Sequence, residues 1–164
     1  MGKSKKKGLG KATGAESIAC TNRRAAKEYE FEDRIEAGMV LKGSEVKSLR
    51  QSRASLEGAY ATVDADALML HQMHIAPYEQ AGPFQHESKR VRKLLVHRRE
   101  LERLRGLVSQ RGYTLIPLRV YFKGGRAKVE IGLGRGRRHE DRREDLKRKA
   151  EMVEARDAMR RAKG

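Results

Sequence analysis

The sequence predicts a mainly β fold, a small closed antiparallel barrel with flanking helices and a basic C-terminal tail. Three observations carry that expectation. Short β-like runs dominate the apolar part of the chain, glycines punctuate them, and two long alternating runs flank Gly124-Gly125. Several short strands with few helices between them favour a closed antiparallel barrel over a parallel sheet. The oligonucleotide-binding type of barrel is the natural candidate at this size.

Apolar patterning begins near Ile18 and runs to about Leu133, enough for one modest core. Strand-like runs fall at 29–32, 39–42, 59–64, 67–72, 113–122 and 127–133. In the last two, Leu118, Val120 and Phe122 alternate, as do Val129, Ile131 and Leu133. Gly124-Gly125 lies between them, where a tight hairpin needs positive φ. One helix is expected over 98–110, with Leu101, Leu104 and Val108 on one stripe and Gly112 beyond its end. Two shorter helices are expected around 33–37 and 44–49.

Charge divides the chain further. Of its 164 residues 38 are Lys or Arg and 22 are Asp or Glu, a formal net charge of +16. So large an excess points to a polyanionic partner, most commonly nucleic acid. No apolar run is long enough to span a bilayer, so no membrane partner is expected. The first residues carry five lysines without an apolar stretch after them, which argues against a signal peptide. A lone Cys20 allows no intrachain disulfide, and a cytoplasmic setting fits. The organisation expected is a disordered basic leader (1–16), a barrel domain (17–134) and a flexible basic tail (135–164). The tail has i,i+4 charge pairs, Glu144–Arg148, Asp145–Lys149 and Asp157–Arg161, but little apolar surface for an isolated helix. It reads as conditionally helical, ordering against RNA, with the glycines of 132–136 as its hinge.

No convergent set of acids, bases or nucleophiles marks an active site, so no enzyme, cofactor or metal is expected. Gly132, Gly134 and Gly136 lack the Lys-Ser/Thr of a phosphate loop. His71 and His74 lack partners at ligand spacing and read as strand histidines. The basic run Lys89-Arg90-Val-Arg92-Lys93 precedes an apolar, strand-like stretch. A stripe of charge beside a strand suits phosphates better than it suits mere edge protection. Lys47 and Arg50 share a helical face, as RNA contacts or as a surface ion-pair patch.

These residues also carry a resemblance. Asn22-Arg-Arg-Ala25, Glu36-Ala-Gly38, the run from Gly43 to Arg50 (GSEVKSLR), the run from Arg90 to Leu95 (RVRKLL), and Lys128 to Leu133 (KVEIGL) resemble successive blocks of the SsrA-binding protein family. The resemblance implies an RNA-binding adaptor. It would bind the tRNA-like portion of transfer-messenger RNA and deliver it to stalled ribosomes for trans-translation. The alternatives kept beside it are a structural ribosomal protein and an RNA-modifying enzyme. RNA-binding residues implied by the resemblance and the basic runs are Asn22, Glu36, Lys47, Arg50, Arg90, Arg92, Lys93, Leu95 and His97, with 95–97 on a strand. Gly136, Arg137, Arg138, His139, Asp141, Arg142 and Arg143 would contact ribosomal RNA near the decoding site and message channel. The protein would act as a monomer. Glu140 stands at the family's aromatic tail position, which leaves His139, the ring next door, to stack on a base.

Overall fold

In the computed structural model the described residues are 16–110, 112–137 and 139–162, with backbone alone for 139–142 and 145. The expected leader lies outside them apart from Glu16. Among the described residues nine strands and four helices follow in order: β1 (Ser17–Thr21), α1 (Ala25–Glu28), β2 (Tyr29–Met39), α2 (Gly43–Arg50), β3 (Ala54–Ser55), β4 (Tyr60–Val63), β5 (Leu68–His71), β6 (His74–Ile75), β7 (Arg92–Leu95), α3 (Arg98–Val108), β8 (Tyr113–Lys123), β9 (Arg126–Gly136) and α4 (His139–Ala162). A 3-10 segment, Glu79–Phe84, precedes β7.

All pairings are antiparallel. The main sheet runs β1-β8-β4-β5-β7-β2-β9, and β9 also pairs with β8. The hairpin expected at Gly124-Gly125 joins β8 to β9 with φ of 58° and 74° at the two glycines, the backbone a primed turn demands. Inside the sheet Leu68, Leu70, Leu94, Leu115, Val120, Val129 and Ile131 form the core, with Leu49 of α2 and Leu104 of α3 packed against it. Strand parity decides their placement, since alternate side chains of one strand face opposite ways. The helix expected over 98–110 is α3, and the one expected over 44–49 is α2.

Three expectations change. The helix expected over 33–37 is strand. Ile35 and Ala37 point inward, and β2 pairs with β9 from Tyr29↔Gly136 to Gly38↔Lys128. A ladder of that length satisfies more backbone groups than an isolated turn of helix, so it overrides local helical preference. The strand expected over 39–42 keeps only Met39, although Val40 still donates to Lys93 O at 3.1 Å. Third, the glycines of 132–136 are no hinge. They belong to β9, and Gly132 and Gly134 are buried against β2. A Cβ at Gly134 would lie 2.2 Å from Glu30 O, so the close backbone approach requires glycine. Arg135 and Gly136, expected in the tail, are therefore strand, and Arg137 N donates to Glu28 O at 2.8 Å.

Helix α4 exposes every one of its described side chains, Leu146, Met152, Val153 and Met159 among them. No helix among the described residues is long and apolar enough to cross a membrane.

Candidate nucleic-acid interface

The strand register gathers side chains from four neighbouring strands on one outer face. Gly38↔Leu95, Glu36↔Glu130, Gly38↔Lys128, Tyr121↔Lys128 and Arg119↔Glu130 are register partners. That face therefore carries Arg34 and Glu36 from β2, Lys93 and Leu95 from β7, Lys128 and Glu130 from β9, and Arg119, Tyr121 and Lys123 from β8. Cations outnumber carboxylates on it, the balance a phosphate backbone selects.

Its two carboxylates are held by neighbours. Tyr121 Oη donates to Glu36, and Lys123 Nζ lies 3.6 Å from Glu36 Oε2. The Tyr121 bond, with Lys123 and Lys128 nearby, outweighs partial burial and holds the Glu36 carboxyl below the usual range. Burial first, then the Glu36 carboxylate, pushes the Tyr121 hydroxyl well above its ordinary value. Arg119 donates from Nε to Glu130 at 2.6 Å and lies 4.7 Å over the Tyr121 ring. Glu36 thus orients a cationic surface. Leu95, 54% exposed beside Gly38, offers an apolar contact on the same face and lines a shallow cleft with Met39, Ala127 and Lys128.

The other expected residues are placed differently. Arg92, expected to meet phosphates, is fully buried; the parity that turns Lys93 outward turns Arg92 inward with Leu94. Its Nε donates to Glu45 Oε1 at 2.8 Å, and its terminal nitrogens donate to Met73 O at 2.7 Å and Ser88 O at 3.1 Å. Arg90 also serves Glu45, donating from Nε and Nη2 at 2.8 and 2.6 Å to its oxygens. Burial would raise the Glu45 carboxyl, but the bonds from Arg90 and the Lys42 amide, with Arg92, hold it below the usual range. Buried charges demand such partners. The basic run thus splits into a clamp on Glu45, half-buried Arg90 with buried Arg92, and the outward Lys89 and Lys93. Alternation of Arg92 and Leu94 was the sequence signal for this, and the buried Glu45 was missed altogether.

Asn22 spends its amide on the fold, donating to Pro117 O at 3.1 Å and accepting from Ala25 N at 3.2 Å. It lines another cleft, with Tyr60 and Thr114. Lys47 and Arg50 are exposed on α2, over the rings of Tyr78 (5.3 Å) and Phe122 (4.4 Å). The strand expected at 95–97 ends at Leu95, and exposed His97 is the N-cap of α3. His71 stacks on Tyr60 and shares a 2.7 Å hydrogen bond with Thr62. Among the described residues no three His, Cys, Asp or Glu side chains converge as a metal site. Of the tail residues, Gly136 closes β9, Arg137 Nε reaches Tyr29 O at 3.4 Å, and Arg143 is exposed on α4. Arg138 and the side chains of His139, Asp141 and Arg142 lie outside the described residues.

A family model described as SmpB protein matches residues 19–161. An SsrA-binding protein of Chloroflexus aurantiacus is 50% identical over 147 residues, 89% of this chain and 92% of its own. That of Geobacter metallireducens is 46% identical over 145 residues, 88% of this chain and 95% of its own. A solved structure described as "tmRNA-SmpB: a journey to the center of the bacterial ribosome" superposes with a TM-score of 0.63. It is 44% identical in sequence and covers 77% of this chain and 93% of its own.

Proposed function

The chain belongs to the SmpB protein family, and from that premise we infer an RNA-binding adaptor. It binds the tRNA-like portion of transfer-messenger RNA and delivers it to stalled ribosomes for trans-translation. The family is an RNA-binding one, and we read this member as a non-enzymatic, cytoplasmic protein. The observation that carries the reading is the outer face of β7, β2, β9 and β8, where exposed Lys93 and Leu95 flank cations oriented by Glu36. Such a face tracks phosphates with its ammonium groups and leaves an apolar side chain for a base or ribose.

We read the circuit of pairings β8–β4–β5–β7–β2–β9–β8 as a closed barrel of oligonucleotide-binding type. Residues 17–137 are then the RNA-binding unit, and α4 is the segment that meets ribosomal RNA. Exposed side chains along all of its described length suit a helix whose partner is another molecule. Sequencing the RNA that co-purifies with the protein tests the reading. Transfer-messenger RNA should dominate, and a broad sample of cellular RNA would refute it.

Two substitutions probe the face. Lys93→Ala should weaken binding and lower the slope of log affinity against log salt by about 0.7–0.9, the loss of one phosphate contact. An unchanged slope would mean that Lys93 serves solubility alone. Glu36→Gln should weaken binding with the slope preserved, because its carboxylate positions cations without touching phosphate. Filter binding across a salt series separates the two, and unaltered affinity of Glu36→Gln would count against the orienting role.

A further inference from the structure

Phe84 is 83% exposed at the end of the 3-10 segment, the highest exposure of any large apolar side chain among the described residues. Such exposure normally accompanies a mobile loop, but this loop is tied at both ends. Tyr78 N donates to Gln85 Oε1 at 2.9 Å, and Gln85 Nε2 donates back to Tyr78 O at 2.8 Å. Next along the chain, buried His86 bridges Ser44 Oγ (2.8 Å) and Ile75 O (3.1 Å). Arg92 holds Ser88 O from the core. The ring is thus presented on a fixed support, which spares the ordering cost of binding.

Beneath it lies a cleft of about 620 Å³ between the loop and the start of α2, lined by Lys42, Lys47, Tyr78, Pro83 and Phe84 among others and by no carboxylate. Lys47 Nζ sits over the Tyr78 ring. We propose that this cleft is a second RNA subsite, in which an unpaired base stacks on Phe84 while Lys42 and Lys47 hold its flanking phosphates. Aromatic rings beside cations are what single-stranded nucleic acid requires. Two lysines and no carboxylate among the lining side chains suit phosphates better than a peptide, and the chain's charge of +16 favours a polyanion. The subsite rests on the adaptor reading and adds a contact outside the four-strand face.

Filter binding of the full-length protein to transfer-messenger RNA tests it. Phe84→Ala should weaken affinity roughly five-fold or more, the loss of one base–aromatic stack, without changing the salt slope. Phe84→Trp should restore affinity and Phe84→Leu should not. Ultraviolet crosslinking followed by mass spectrometry should find a nucleotide adduct on Phe84. Because the ring is exposed, melting temperatures should stay level across the series. Wild-type affinity in Phe84→Ala, or recovery by Leu equal to that by Trp, would overturn the proposal; the second result is what an apolar protein contact would give. If Phe84→Ala is silent while Lys93→Ala weakens binding, the cleft fails alone. If the wild-type protein does not prefer transfer-messenger RNA to unrelated RNA, the adaptor reading falls and takes the subsite with it.

Discussion

Glu45→Gln is expected to lower the melting temperature by about 10–20 °C, from a loss of about 3–5 kcal/mol when one member of a buried ion cluster is removed. The Glu45 carboxylate is fully buried, serves Arg90 and Arg92, and accepts from the Lys42 amide at 2.8 Å where α2 begins. The substitution leaves the guanidinium of Arg92 in the core without its counter-charge. Burial already depresses the Arg92 pKa, against the support of Glu45. The same clamp fixes the segment that presents Lys93 and Leu95, so RNA affinity should fall even where the variant remains folded. Thermal unfolding followed by circular dichroism decides the matter, and a shift below about 3 °C would refute the structural role, being under 1 kcal/mol at this size. Acid should act in the same direction. The folded carboxyl lies below the ordinary value of 4.5, so its contribution is complete above that value. The contribution disappears as pH falls through the lower, folded one. Wild-type stability should therefore drop below about pH 4.5, and the Glu45→Gln variant should show a shallower drop there.

Removing the chain after Arg137 is expected to leave RNA binding largely intact while abolishing tagging of stalled peptides. The cut spares β9, whose pairing with β2 extends to Tyr29↔Gly136, and the bond from Arg137 N to Glu28 O. It removes α4, whose described side chains are all exposed and contribute nothing to the buried core. A cut after Gly134 would take away part of β9 and confuse folding with function. Filter binding and a peptide-tagging assay on the same protein separate the two activities. Full tagging by the truncated chain would remove the proposed role of the helix. Within the tail, His139→Ala should impair tagging more than Glu140→Ala, since only the histidine offers a ring for stacking. The reverse order would overturn that assignment and leave the role of the helix standing.

What the sequence determined by itself was whatever depends on neighbours along the chain. Alternation about Gly124-Gly125 specified the β8–β9 hairpin, because two adjacent glycines at positive φ have few other uses between strands. The leucine stripe specified α3, and the charge specified the class of partner. The family's motifs pointed to Glu36, Lys93 and Leu95, which tertiary structure brings onto one face with Lys128. Other features were decided only by tertiary structure, because they depend on partners far away in sequence. Local preference at 33–37 favoured helix until β9, roughly a hundred residues later, offered a full ladder. The glycines of 132–136 read as a hinge until Glu30 O and Phe31 occupied the space a Cβ would need. Arg92 read as a phosphate ligand in a basic run. Strand parity turned it inward, and Glu45, 47 residues away, compensated the charge that burial would otherwise expel.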